Sequence, residues 1–263
     1  MGMKKTRALL FVLPNLFTVS SVLCGLFAIL TATEPNDPER FYYAAVAILF
    51  GVLFDAADGR VARLTRTQSD FGLQLDSLAD VITFGVAPAV LVYKWALAPY
   101  GWAGLLVSFV FATCGALRLA RFNVLAMRQT APPRHFVGMP IPLAAAVLVS
   151  LVMVHHGQGG VVLVDQPGII AVVLLLSVLM VSNVRYRTFK KLKASRWTMP
   201  LLAGMAGLIL VAVWQQVFTY LLVGALGGFA AFGLLEEGVR QARRLVRLAR
   251  HAPGPDQGPR RPA

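Results

Sequence analysis

"DAADGRVARLTRTQSDFGLQLDSLAD", Asp55 to Asp80, lies between two stretches so apolar that they belong in a bilayer. Asp55 and Asp58 are three residues apart and Asp76 and Asp80 four apart, so on helices each pair projects from one face. A charged side chain in mid-membrane costs about 2.5–3.5 kcal/mol on insertion scales. Four aspartates therefore belong near a membrane interface, and something cationic should meet them there. A short loop around residues 64–71 lets the two helices lie antiparallel and brings all four carboxylates together.

The rest of the chain agrees with a membrane setting. Of 263 residues, 57% are hydrophobic and 14% charged, and the mean hydropathy is +0.67, which excludes an ordinary soluble domain. A helix needs about 20 apolar residues to cross the hydrocarbon core. That ruler gives about eight spans, at 12–32, 41–63, 73–97, 101–126, 139–156, 168–186, 198–215 and 217–236. The fold class is thus all-α, a polytopic membrane protein whose residues 1–236 form one transmembrane domain. The basic-then-apolar N-terminus reads as an interfacial turn followed by a retained span, since its apolar run exceeds that of a signal peptide.

The net charge of +13 suggests nucleic acid at first sight, but in a membrane chain basic residues are first a record of topology. Of the 25 Lys and Arg, all but Arg40 and Lys94 fall on one set of helix ends. Those ends, both termini and the aspartate stretch are therefore expected in the cytoplasm, and no nucleic-acid partner is implied. Residues 237–251 space arginines along a helix suited to anionic headgroups, and 252–263 form a Pro/Gly-rich disordered tail. Cys24 and Cys114 sit in apolar runs and carry no redox reading.

Carboxylate-only ligation suits hard divalent ions such as Mg²⁺ or Mn²⁺, and the lack of nearby Cys or His argues against zinc. Two ions sharing bridging carboxylates would suit a diphosphate substrate. Gly59, Ala62 and Gly72 leave room for a close ligand, and Arg63 offers a forked donor to phosphate. Ser69 and Asp70 read as the N-cap of the third span. Asn15 and Thr18 read as helix-packing residues able to hydrogen-bond across to the aspartate helices.

The series Asp55, Asp58, Gly59, Ala62, Arg63, Gly72, Asp76 and Asp80 resembles the complete signature of the CDP-alcohol phosphotransferases. The resemblance implies transfer of a phosphatidyl group from a CDP-linked lipid to an alcohol, with release of CMP. It implies that Asp55, Asp58 and Asp76 are metal ligands and that Asp80 completes the metal site and acts as general base. Asp58, Gly59, Ala62, Arg63 and Gly72 would line the nucleotide and diphosphate pocket, placing Asp80, Asp76 and Arg63 closest to the chemistry. It also implies a homodimer.

The acceptor alcohol is not named by that motif. The segments 13–25, 77–89, 116–124, 136–146 and 179–193 resemble the integral-membrane branch of bacterial phosphatidylserine synthases. This implies CDP-diacylglycerol and L-serine as substrates, in the inner membrane. Serine carries a carboxylate, and Arg118, Arg121 and Asn123 are its candidate contacts. Two alternatives stay open: another acceptor, glycerol 3-phosphate or an inositol phosphate, and a cation- or proton-coupled transporter. His155 and His156 fall on the far side and receive no catalytic part.

Overall fold

Residues 2–13 contain no helix breaker after Gly2, and in a computed structural model the first helix, α1, runs Gly2–Thr33, ten residues ahead of the expected span. The structure describes residues 2–34, 37, 39–65, 67–128, 135–160 and 167–187, with side chains from 14 to 34, at 37, and over 39–65, 67–125, 138–160 and 167–184. The expected spans 198–215 and 217–236, the basic helix 237–251 and the tail 252–263 lie outside the described residues.

After α1 come α2 (Arg40–Thr65) and α3 (Asp70–Asp80), the latter continuing through a widened turn (Val81–Val86) into α4 (Ala87–Val92). A second widened turn (Tyr93–Leu97) and a tight 3₁₀ turn (Ala98–Tyr100) lead to α5 (Gly101–Arg128). Then follow strand β1 (His135–Val137), α6 (Ile141–Gly157), α7 (Pro167–Val181) and strand β2 (Arg185–Arg187). The described part is thus helical apart from one short ribbon, in which β1 and β2 pair antiparallel with His135 opposite Arg187. The expected sixth span reached residue 186. It stops at Val181 because the backbone beyond it pairs with β1 instead of continuing the helix.

Among the described residues, three helical runs are long and apolar enough to cross a membrane, and α6 and α7 are shorter apolar helices. The longest run, Asp70–Leu125, is not one rod. Gly101 has φ +54°, a left-handed conformation that favours glycine, and α5 folds back to pack on α4 and the first widened turn. Gly104 lies so close to the Leu97 carbonyl that no side chain fits between them. The run is therefore two antiparallel segments, matching the expected third and fourth spans.

Between helices in lipid there is little hydrophobic driving force, so small residues and hydroxyls make the contacts. Ala28 and Ala32 on α1 and Ala44 and Ala45 on α2 are all buried. Leu16, Leu23, Phe27 and Leu30 face outward, as lipid requires. A close three-way contact forms at Thr83, in the widened turn where the Ala87 N–H reaches back five residues to the Ile82 carbonyl. Thr83 Oγ1 donates to the Ser21 carbonyl at 2.9 Å, and Ser21 Oγ donates to the Gly51 carbonyl at 3.3 Å. Three helices thus meet through two hydroxyls and two glycines.

A Cβ on Gly25 would stand 2.9 Å from the Thr83 Cα, a backbone atom that cannot swing aside. Gly25→Val is expected to force α1 away from the turn and to destabilise the fold by about 1–3 kcal/mol, as overpacking does. Thermal unfolding in detergent measures this. An unchanged midpoint would mean that α1 is not held as described.

Candidate active site

The segment joining α2 to α3 is short, and its described residues Thr67 and Ser69 are both hydrogen-bonded. The Thr67 amide donates to the Ala62 carbonyl at 3.0 Å, and the Thr65 and Thr67 hydroxyls are 2.7 Å apart. Ser69 is extended, with φ −140° and ψ 155°, and its Oγ accepts the Gly72 amide at 3.0 Å, the N-cap that the sequence predicts. This closed turn sets the last turns of α2 beside α3, facing one another with their acidic residues.

Asp55, Asp76 and Asp80 each present a carboxylate oxygen to a common point, with the three atoms within 4.8 Å of one another. Asp55 is the hub, in hydrogen-bonding range of both Asp76 and Asp80. Asp58 stands one turn along α2 and is buried, and its Oδ2 accepts the Thr18 hydroxyl at 2.8 Å. The four carboxylates expected at one point are therefore arranged as a triad plus a neighbour held toward α1.

A cavity of about 370 Å³ opens beside the triad. Its walls include Asp58, Gly59 and Ala62 from α2, Gly72 and Asp76 from α3, and Asn15 and Thr18 from α1. The turn residues Thr67, Gln68, Ser69 and Asp70 complete the lining. Asp76 belongs to both the triad and the wall, so a molecule in the cavity reaches the carboxylates directly. The small residues keep the space open: nothing lies within 4 Å of a Cβ built on Gly59, and one on Gly72 would crowd Ser69 Oγ at 3.2 Å. Arg63 does not line the cavity; it is exposed, with Nε donating to the Gly59 carbonyl at 2.7 Å.

Asn15 and Thr18 are expected to pack helices and to be able to hydrogen-bond across to the aspartate helices, and Thr18 makes such a bond, to Asp58. Both line the cavity, and Thr18 also orients Asp58. The signal was available in the sequence: two polar residues three apart on one face of an apolar helix, after Pro14.

The candidate acceptor residues separate into three environments. Arg118 is 8% exposed and close enough to Asp80 for their charges to interact. Its Cζ lies 5.7 Å from the centre of the Phe122 ring, and its buried Nε has no hydrogen-bond partner among the described residues. Arg121 instead points toward α7, with Nη1 donating to the Val181 carbonyl at 3.3 Å and Nη2 to Asn183 Oδ1 at 2.7 Å. Asn123 Nδ2 donates to Ser77 Oγ at 2.9 Å, next in sequence to Asp76, while its buried Oδ1 has no partner among the described residues.

The two histidines are remote from this site. His156 Nε2 lies 3.0 Å from Glu39, just before α2, and Trp95 Nε1 donates to His155 Nδ1 at 3.2 Å. Glu39 and Asp55 are separated by about 24 Å of helix at 1.5 Å per residue.

A helical membrane protein with clustered carboxylates at a helix-pair end, opening into a cavity walled by glycine and alanine, is a class suited to handling phosphate esters through a metal ion. The chain belongs to the CDP-alcohol phosphatidyltransferase family, whose pattern matches residues 11–179 and so includes every aspartate of the site. It is 42% identical over 188 residues to a CDP-diacylglycerol–serine O-phosphatidyltransferase of Helicobacter pylori, covering 70% of this chain and 75% of that protein. The enzyme of the same name from Bacillus subtilis is 36% identical over 191 residues, covering 70% of this chain and 98% of that one. An archaetidylserine synthase of Methanothermobacter thermautotrophicus is 35% identical over 176 residues, covering 66% and 69%.

Proposed function

We propose that this protein transfers the phosphatidyl group of CDP-diacylglycerol to L-serine, forming phosphatidylserine and CMP. The site faces the cytoplasm from a bacterial inner membrane, a placement supported by the segregation of Lys and Arg. The single observation that carries the reading is the convergence of Asp55, Asp76 and Asp80 beside a cavity that shares Asp76. The names of the relatives support serine as acceptor. Homodimeric assembly rests on the family resemblance alone.

The donor set, carboxylate oxygens without Cys or His, fits Mg²⁺ or Mn²⁺. Asp55, Asp76 and Asp80 would hold one ion, with Asp58 available to a second. Bound there, the metal supplies positive charge to the diphosphate as negative charge moves onto the leaving oxygen. The cavity takes the CDP portion, with the diphosphate against Gly59, Ala62 and Gly72. Thr18 keeps Asp58 aimed at this space. Arg63, exposed at the rim, turns its guanidinium from the Gly59 carbonyl to the entering phosphates.

Serine binds on the other side of the triad, its carboxylate on Arg118. Asp80 accepts the proton of the serine hydroxyl as Oγ bonds to the phosphorus carrying diacylglycerol, and the bond from that phosphorus to the oxygen of CMP breaks. The proton then passes to solvent. No side-chain nucleophile is required.

The placement of the arginines also bears on the acceptor. A phosphorylated acceptor wants several cationic donors together, whereas the Arg121 guanidinium is engaged at α7 and Arg118 is left for a single carboxylate. Arg118→Ala is therefore expected to raise the KM for serine by about 10–100-fold, the loss of one charged hydrogen-bond pair, while the KM for CDP-diacylglycerol stays within about twofold. Steady-state CMP release at varied serine and varied lipid measures both. Equal rises in the two constants would remove Arg118 from the acceptor site.

A further inference from the structure

Arg118 and Arg121 lie three residues apart on α5, yet their guanidinium groups go to different neighbours. The last carbonyls of α7 lack helical partners, as at every helix C-terminus. Here they are taken up from outside the helix: the Leu179 carbonyl accepts the Met139 amide at 3.0 Å, and the Val181 carbonyl accepts Arg121 Nη1 at 3.3 Å. A cation at a helix C-terminus is also favoured by the helix dipole. Arg121 Nη2 then reaches past the helix end to Asn183 at 2.7 Å. Arg121 thus clamps the segment that leads from α7 into β2.

That segment is joined to the chain leaving α5 by the β1–β2 ribbon and by the Gly138 amide, which donates to the Val184 carbonyl at 2.8 Å. Gly138 has φ +81° and lies against the Met180 carbonyl, so the crossing is built for glycine. The cytoplasmic end of α5 is therefore tied on two sides, to α3 through Asn123 and Ser77 and to α7 through Arg121. Arg118 lies about one turn before these ties on α5, within electrostatic range of Asp80.

We propose that Arg121 is a positioning residue: by bridging the Val181 carbonyl and Asn183 it fixes the end of α5 so that Arg118 meets the acceptor beside Asp80. It does not itself touch the acceptor. The proposal rests on the phosphatidyltransfer reading for the acceptor's identity and for Arg118 as its contact. The CDP-lipid cavity is built from α1, α2, α3 and the turn between the latter two, and it is not tied by this clamp.

A double-mutant cycle tests it. Arg121→Ala and Asn183→Ala are each expected to raise the serine KM by about tenfold, and the double variant by no more than either alone, because both remove one bridge. The KM for CDP-diacylglycerol is expected to stay within about twofold in all three. Asn183→Asp, which keeps an acceptor for Nη2, is expected to retain the wild-type serine KM and guards against misreading a folding defect. A wild-type serine KM in Asn183→Ala would overturn the proposal, because a direct acceptor ligand does not need Asn183. Multiplicative effects in the double variant, or equal changes in both KM values, would overturn it as well. If wild-type protein releases CMP with an acceptor other than serine, the same cycle is read on that acceptor's KM, so the two claims fail separately.

Discussion

Replacing Asp55 by Asn is expected to lower turnover by about 10³-fold or more, the scale of losing a metal-assisted charge stabilisation of several kcal/mol. Asp55 is the hub of the triad, in range of both Asp76 and Asp80, and the amide keeps its volume while removing its charge. The fold should not suffer. Three carboxylates within 4.8 Å repel one another, so in metal-free protein the variant is expected to unfold at the same temperature as wild type or higher. Added Mg²⁺ or Mn²⁺ should raise the unfolding temperature of wild type and leave that of Asp55→Asn unmoved. Turnover near wild type in this variant would remove the triad from the chemistry.

Asp80→Asn is the second large effect, and it should divide differently between the kinetic constants. Asp80 is buried beside Arg118 and does not line the cavity that takes the CDP portion. Loss of the base that receives the serine proton is expected to lower kcat by about 10²–10⁴-fold. Because Asp80 would also help to hold the ion, the KM for CDP-diacylglycerol is compared at saturating Mg²⁺ or Mn²⁺, where it should stay close to wild type. The variant also removes a carboxylate within electrostatic range of the buried Arg118, so a small loss of thermal stability accompanies the kinetic effect. A raised lipid KM with kcat intact would place Asp80 in lipid binding and take the base role from it.

Much of this site is legible in the sequence because it is local. Spacings of three and four put each aspartate pair on one helical face, and a short polar turn with a serine cap turns one helix back beside the other. Apolar length gives helices where six of the eight expected spans fall, the other two lying outside the described residues. What the sequence does not carry is relative rotation about helix axes. Arg118 and Arg121 have the same residue type and helical spacing as any phosphate-binding pair, yet a modest turn of α5 sends one to Asp80 and the other to α7.

Thr83 is hidden for a similar reason. Its partners Gly25 and Gly51 are distant in sequence, and the widened turn that holds it has no apolar period to announce it. The β1–β2 ribbon joins two loops whose charges read only as topology. Thr18 marks the boundary between these cases, since its polarity is evident in the sequence and its partner Asp58 is not.

The most direct test is CMP release from CDP-diacylglycerol by the purified protein, with L-serine, glycerol 3-phosphate, myo-inositol phosphate or no acceptor, in Mg²⁺, in Mn²⁺ and in excess chelator. Release is expected with serine, in at least one of the two metals, to fall to background in chelator and to be matched by phosphatidylserine formed. Release that ignores serine but follows a phosphorylated acceptor would contradict the assignment of Arg118, and release undiminished by chelator would contradict the carboxylate site itself.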